Sequence, residues 1–231
     1  GGIIGYGQSS LISNCSTQKN GYVLGSEQVG GIAGALEGNV SEAIQAEGNI
    51  KVTTNASYVI GNNYVGGIVG ENSSGVTLEN CVNNGVAAGY KKYVGGIVGY
   101  NENDATISDC ASYLSDYDNS VFKMITETWK AKADYAGGIV GYNNGDIKFS
   151  KDSEAVTVKS VSSIVVGNNY VGGIAGFNDS NGTLDVHYTL IGGRIYGYED
   201  CVGGGFGFNA SENLLTQELT IKPKSVQGRY Y

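Results

Sequence analysis

IGNNYVGGIVGEN (Ile60–Asn72) and VGNNYVGGIAGFN (Val166–Asn178) carry nearly the same thirteen letters. A catalytic loop has no reason to be duplicated, whereas a structural unit that stacks on copies of itself does. A self-comparison finds the Gly-Gly core seven times, starting at Gly1, Gly30, Gly66, Gly95, Gly137, Gly172 and Gly203. The intervals are 29, 36, 29, 42, 35 and 31 residues. A fixed core with variable spacing is what loops of changing size between stacked strands produce.

Aligning the copies gives columns, each with a physical reading. The third core position is Ile3, Ile32, Ile68, Ile97, Ile139 and Ile174, then Gly205. An aromatic follows the core at Tyr6, Tyr100, Tyr142, Phe177 and Phe208, with Ala35 and Glu71 as exceptions. Next stands Asn72, Asn101, Asn143, Asn178 or Asn209, and Tyr64, Tyr93, Tyr135 and Tyr170 precede the core. About ten residues into each copy a second short strand begins, with Ile12, Leu78, Ile107, Ile147 and Leu184 as its aliphatic column. A third apolar run (YVLG, YVIG, VAAG, IVVG, RIYG) leads into the next core.

Three short strands per repeat, bounded by Gly and Asn, predict an all-β chain: a β-solenoid (β-helix) of about six to seven rungs with one long insertion. Identical residues then stand about 4.8 Å apart along the axis. Ile32, Ile68, Ile97, Ile139 and Ile174 are expected to fill the interior. Stacked Asn72, Asn101, Asn143, Asn178 and Asn209 are expected to pass amide hydrogen bonds from copy to copy. The pattern leaves open which face the Gly-Gly strand buries.

These columns, VGGIVGxN, then TIxxC, then NGxVxG, resemble the GLUG motif of bacterial surface proteins, and VGGIVGENSSGVTLENCVNNGVAAG (Val65–Gly89) is the cleanest copy. The likeness covers Gly1 to about Asn209, with Ile where the family favours Leu. The resemblance implies a β-solenoid in an exported, cell-surface protein, of the kind that forms adhesin shafts or flanks the catalytic part of immunoglobulin A proteases. The zinc motif H-E-x-x-H of those proteases is absent, so no enzymatic role carries over.

Cys15, Cys81 and Cys110 each fall three residues after the second-strand aliphatic, in a column that takes Ala43 and Ser150 elsewhere. They are not a metal site, since no C-x-x-C pair exists. Cys81 and Cys110 lie on adjacent copies and read either as buried free thiols or as a disulfide; Cys15 and Cys201 read as free. His187, the only histidine, shares that column two residues from Asp185 and reads as a side chain at a wide corner.

Other classes fare less well. A net charge of −8 leaves no basic stripe for nucleic acid, and no apolar run is long enough for a membrane helix. A glycosidase needs two carboxylates across a cleft and a lyase a calcium-binding Asp cluster beside a basic residue, whereas the acids here are spread thinly with no recurring column, and the calcium repeat G-G-x-G-x-D finds no match. No cofactor is expected, and specific binding of Ca2+ is the minor alternative.

The longest interval, Gly95 to Gly137, holds the insertion, about 112–134, with the only Met and the only Trp. Val121, Ile125 and Trp129 recur at helical spacing after Asn119 or Ser120 as N-cap, while the alternation in VFKMITET fits a strand equally well. Tyr113, Tyr117, Phe122 and Trp129 form the candidate binding group; the competing reading has Phe122 and Trp129 covering an apolar wall. Outward tyrosines of the stacked columns read as a further aromatic stripe. Residues 1–209 are expected to form the repeat domain and 210–231 a cap or exit segment. The chain opens inside its own motif and reads as a piece of something longer.

The resulting expectation is a non-enzymatic extracellular segment that spaces or displays a binding surface for a host or cell-surface glycan or protein. A subunit stacking on copies of itself into a filament is the second reading, and a glycan-active enzyme the third.

Overall fold

The structure, a computed structural model, describes residues 1–38, 50–51, 54–113, 119–149, 164–186, 189–191, 193–212, 214–216, 220–222 and 225–228. Those residues are all-β apart from one short helical insertion, and every strand pairing among them is parallel. Strand order follows motif copy. The first sheet runs Ile4–Gln8, Ala33–Glu37, Val69–Asn72, Val98–Asn101, Val140–Asn143, Ala175–Asn178, Phe206–Asn209, one strand from each copy. The second sheet repeats that order with the strands holding Ile12, Leu78, Ile107, Ile147 and Leu184. Equivalent residues are partners: Tyr100 pairs with Tyr142, Asn101 with Asn143, and Ile107 with Ile147.

A middle copy is built from four strand segments rather than the expected three: Val69–Asn72, Thr77–Glu79, Val82–Asn83 and Val86–Gly95. Two features divide the run. Asn80, at φ 52°, turns the chain between the second and third segments, and Asn and Asp (Asp109 at φ 49°) tolerate that left-handed backbone better than other residues. The Gly-Gly core is a corner and not a continuous strand. The strand preceding it ends on the first glycine, the chain bends at the second glycine and the isoleucine, and the next strand starts at the fourth position.

Space decides why those two positions are glycine. A Cβ on Gly95 would sit 1.8 Å from Val98 O, and one on Gly96 would sit 2.1 Å from Gly138 O. The fifth core position has a different neighbour. A Cβ on Gly99 would lie 2.6 Å from Tyr64 C and one on Gly141 would lie 2.5 Å from Val94 N, so the first sheet packs backbone to backbone on the residues that precede the core. Gly5, in the same column, meets nothing within 4 Å.

The main core lies between the first two sheets. Ile32, Ile68, Ile97, Ile139 and Ile174 stack there with Leu78, Ile107, Ile147 and Leu184, all buried. Complete burial of one such side chain stabilises by about 1.5–3 kcal/mol. A second cluster, Val29, Val59, Val65, Val94 and Ala133, fills the space behind the strands that lead into the core. Beyond Asn209, Leu214–Thr216, Thr220–Lys222 and Ser225–Gln227 take parallel edge positions in three sheets and so prolong the same stack.

The insertion is helical. Asn119–Lys123 is α-helix and Met124–Trp129 continues as a π-helix, closed by Lys130 in the left-handed conformation at φ 53°. The strand alternative fails because Ile125 is buried while Val121, Phe122 and Trp129 turn to the same wall.

Candidate functional site

Six residues before the core share one unusual backbone. Gln28, Tyr64, Tyr93, Tyr135, Tyr170 and Cys201 all have φ between 50° and 58°. For a residue with a Cβ this left-handed conformation costs about 1–2 kcal/mol. Glycine or asparagine would relieve it, yet four successive copies place tyrosine there. What tyrosine supplies in return is a ring contact.

The rings of Tyr64, Tyr93, Tyr135 and Tyr170 form one column, with centroids 5.1, 5.2 and 5.0 Å apart. Tyr100, Tyr142, Phe177 and Phe208 form a second column at 5.2, 5.0 and 4.9 Å. The columns meet edge to face, as at Tyr93–Tyr142 (5.4 Å, 78°) and Tyr135–Phe177 (5.7 Å, 80°). Each such pair adds about 0.5–1.5 kcal/mol beyond its area. Eight half-exposed rings thus make a continuous ribbon along the stacking direction. Because neighbours cover the faces of the inner rings, the ribbon presents edges and hydroxyls, not open faces on which a sugar ring would stack.

Burial pushes the phenols of Tyr64, Tyr93, Tyr100, Tyr135 and Tyr142 above their ordinary value. At Tyr142 the hydroxyl also donates to Asp179 at 2.6 Å, which raises it further. These groups therefore stay neutral at physiological pH and act as hydrogen-bond donors, not as phenolate bases or nucleophiles. A polar row borders the ribbon: Asp134 accepts from Asn168 (3.3 Å) and Asn169 (3.0 Å), and Glu27 accepts from Asn63 (2.8 Å).

Tyr135 gives a direct test, since it contacts Tyr93, Tyr170, Tyr142 and Phe177. Tyr135→Ala loses four ring contacts and keeps the strained backbone, for an expected loss of about 3 kcal/mol in urea unfolding. Tyr135→Gly loses the rings but releases the strain, so it is expected to be about 1 kcal/mol more stable than the alanine variant. That order reverses the usual penalty for glycine in a strand. Alanine above glycine would show that the backbone here carries no strain.

The asparagine column is joined as a chain of side-chain amides behind the ribbon. Asn72 Nδ2 donates to Asn101 Oδ1 at 2.8 Å, Asn101 to Asn143 at 2.9 Å, Asn143 to Asn178 at 2.7 Å, and Asn178 to Asn209 at 2.8 Å. Asn72, Asn101, Asn143 and Asn178 are fully buried. The chain starts at a defect: Leu36 occupies the preceding slot, and Asn72 Oδ1 is left without a donor. A second ladder runs Thr17 Oγ1 to Asn55 (2.5 Å), Asn55 to Asn83 (2.8 Å), and Asn83 to Ser112 Oγ (3.3 Å). Sequence reasoning missed this one because its members differ in type. The shared signal is the Asn-x-small sequence at Asn55-Ala56-Ser57 and Asn83-Asn84-Gly85.

The structure divides the candidate binding group. Phe122 and Trp129 do not stand free. Phe122 meets Tyr196 edge-on at 5.7 Å with the Arg194 guanidinium 5.7 Å from its ring, and Trp129 meets Tyr58 at 5.7 Å. With buried Ile125 they cover Val86, Ala88 and Val166, so the insertion lies on an apolar wall. Tyr113 is not in that cluster; it follows the strand Ala111–Ser112, which pairs with Val82–Asn83, and its N–H donates to Asn83 O at 2.8 Å. Tyr117 and His187 lie outside the described residues, as do Ala43 and Ser150 of the cysteine column.

The cysteine column repeats a local bond. The thiols of Cys15, Cys81 and Cys110 each donate to the carbonyl two residues back, Ser13, Glu79 and Ser108, at 3.4, 3.4 and 3.2 Å. Cys81 and Cys110 are buried thiols that form no disulfide, and burial pushes the Cys110 thiol well above its ordinary value. Cys201 is free and exposed. Among the described residues no three His, Cys, Asp or Glu side chains converge in a metal-holding arrangement, and no helix is long and apolar enough to cross a membrane.

No curated protein and no solved structure matches the chain. A family model does: the stretch 92–112, which holds the left-handed Tyr93, the Gly95 corner, the amide of Asn101 and the thiol of Cys110, matches the GLUG motif.

Proposed function

We propose that the chain is a β-solenoid of six to seven rungs whose role is mechanical: a non-enzymatic segment that spaces and displays a binding surface on an exported, cell-surface protein of bacterial type. The observation that carries this reading is the in-register pairing of seven motif copies, in which rings, amides and isoleucines stack on their own kind through the middle of the series. The GLUG match at 92–112 supports the cell-surface context. Carboxylates beside the ribbon are engaged between copies, Asp179 with Tyr142, Asp134 with Asn168 and Asn169, and Glu27 with Asn63, which fits a scaffold better than a cleft poised for acid–base work. The surface to display is the ribbon with its polar row, and the partner a glycan or protein that hydrogen-bonds to ring edges and amides.

Excision of one complete copy tests the reading. Deleting Gly66–Val94 removes a 29-residue repeat and joins Val65 to Gly95, so each remaining column closes up by one place. In a stacked array, stability is close to a sum over repeats and their interfaces. The shortened chain is expected to fold, to melt cooperatively at a lower temperature, and to leave glycans uncleaved. Loss of folding would remove the solenoid reading, and release of reducing sugar by the intact chain would remove the non-enzymatic one.

A further inference from the structure

Asparagine followed directly by glycine occurs four times in the chain, at Asn20-Gly21, Asn84-Gly85, Asn144-Gly145 and Asn181-Gly182. In such a pair the glycine nitrogen, unhindered by a Cβ, is free to attack the asparagine side chain. An N–H already engaged in a hydrogen bond must first give that bond up. Three of the four are engaged: Gly21 N donates to Gln18 O at 3.2 Å, Gly85 N to Asn83 Oδ1 at 3.0 Å and Gly182 N to Asp179 O at 2.9 Å. The N–H of Gly145 meets no acceptor among the described residues.

The group that this nitrogen faces is also prepared. Asn181 Nδ2, one copy further on, donates to Asn144 Oδ1 at 3.2 Å. A donor on the carbonyl oxygen draws electron density from Cγ and stabilises the negative charge that gathers there when a nucleophile adds. The Asn144 Nδ2, which has to leave, is held by no acceptor among the described residues, and the residue is half-buried, within reach of a base from solvent. Packing requires the glycine: a Cβ on Gly145 would stand 2.3 Å from Glu102 O and 2.4 Å from Ala105 O. The reactive pair is thus a by-product of the close approach between copies.

We propose that Asn144 is a self-modification site, at which the chain converts a neutral amide into a carboxylate by reaction with water alone. A base takes the Gly145 proton and the nitrogen bonds to Asn144 Cγ; the Cγ–Nδ2 bond breaks, and Nδ2 takes up a proton and leaves as ammonia. Water then opens the cyclic imide at either carbonyl, giving aspartate or isoaspartate, so the sum is one water in and one ammonia out. The product changes the stack. Asn144 follows the ladder residue Asn143 as Glu102 follows Asn101 and Asp179 follows Asn178, and those three ladder residues are register partners. A carboxylate at Asn144 therefore stands between Glu102 and Asp179, one strand spacing of about 4.8 Å from each, and like charges placed opposite one another repel. Isoaspartate also adds a backbone atom to the loop whose Asn144 N and Asp146 N hold the copy before, at Asn101 O and Ala105 O. The site goes beyond the mechanical role proposed above: it loosens both boundaries of the fifth copy as the chain ages.

The test is peptide mapping by mass spectrometry on the full chain held in mildly alkaline buffer, folded and in urea, with loss of ammonia and gain of water followed at each Asn-Gly pair. In the folded chain Asn144 is expected to react about tenfold faster than Asn20, Asn84 and Asn181, the factor that a hydrogen bond on the attacking nitrogen withholds. In urea, where only the local sequence acts, the four rates are expected to converge. Asn181→Ala, at an exposed position, is expected to slow Asn144 severalfold with an unchanged circular dichroism spectrum. Asn144→Asp, the product form, is expected to melt below wild type, and Asn144→Ser to keep its melting temperature through the incubation that lowers that of wild type. An Asn144 no faster than the other three in the folded chain, or a rate that Asn181→Ala leaves untouched, would overturn the site. An Asn144→Asp chain as stable as wild type would overturn its effect on the stack.

Discussion

Asn101→Asp is expected to destabilise the chain by about 4 kcal/mol at neutral pH, a fall of about 10 °C in melting temperature for a chain this size. The substitution changes one atom. Asn101 accepts from Asn72 and donates to Asn143, and it is fully buried. Aspartate keeps the acceptor but replaces the donor with a second oxygen, which then faces Asn143 Oδ1. A buried group left unsatisfied costs about 1–3 kcal/mol, and a buried charge without a partner costs more. The pH dependence supplies a signature. Burial raises the new carboxyl above its unfolded value of about 3.9, so below that value both states are protonated and the charge penalty is absent. Stability is then lost as pH rises from there through the folded value. The protonated form also regains a donor for Asn143. Thermal melts are therefore expected to show the variant approaching wild type as pH falls toward 4. Asn209→Asp, at the exposed end of the ladder, is expected to cost far less. Equal effects at the two positions would mean that the ladder contributes nothing beyond local geometry.

Gly95→Ala is expected to be worse, with a loss of more than about 4 kcal/mol or no folded protein. The added methyl would sit 1.8 Å from Val98 O and 2.7 Å from Ile139 O, and both are backbone atoms that no rotamer change can move. Relief requires the corner to open, which breaks the paired donation from Ile97 and Val98 to Ile139 O. Gly5→Ala provides the contrast. Gly5 meets nothing within 4 Å and does not have a positive φ, so alanine is expected to be neutral or to stabilise by up to about 1 kcal/mol through the unfolded chain. Denaturant unfolding of the two variants separates a glycine held by contact from a glycine that is merely repeated. Similar losses in both would show that the corner geometry is not what fixes these positions.

The columns were legible in the sequence because parallel in-register pairing makes identical residues into neighbours. Ile68, Ile97 and Ile139, or Asn101, Asn143 and Asn178, announce themselves by sharing an offset from the core and a residue type. Where neighbours differ in type, that signal disappears, which is why the Thr17–Asn55–Asn83–Ser112 ladder went unread. The left-handed tyrosines were hidden for another reason. Propensity argues against φ > 0 at Tyr64 or Tyr135, and only the close approach of Gly70 and Gly176 to their backbones shows why the chain adopts it. The same approach turns the Gly-Gly pair from the expected strand into a corner. For the insertion, spacing placed Val121, Ile125 and Trp129 on one face but carried no information about what that face would meet. Tyr58 comes from one distant copy and Arg194 and Tyr196 from another, and only the fold brings them beneath it.

The direction of the ladders has a mechanical consequence. Every hydrogen bond between copies lies along the stacking direction, so tension applied along that axis loads the copies in series and not in parallel. The weakest boundary yields first, and the force on the others drops as soon as it does. Each copy that opens releases 29–42 residues of chain, roughly 100–150 Å of slack at full extension. Under such a load the stack behaves less like a rigid strut than like a ratcheted tether, extending in discrete steps whose lengths are written in the intervals between glycine pairs.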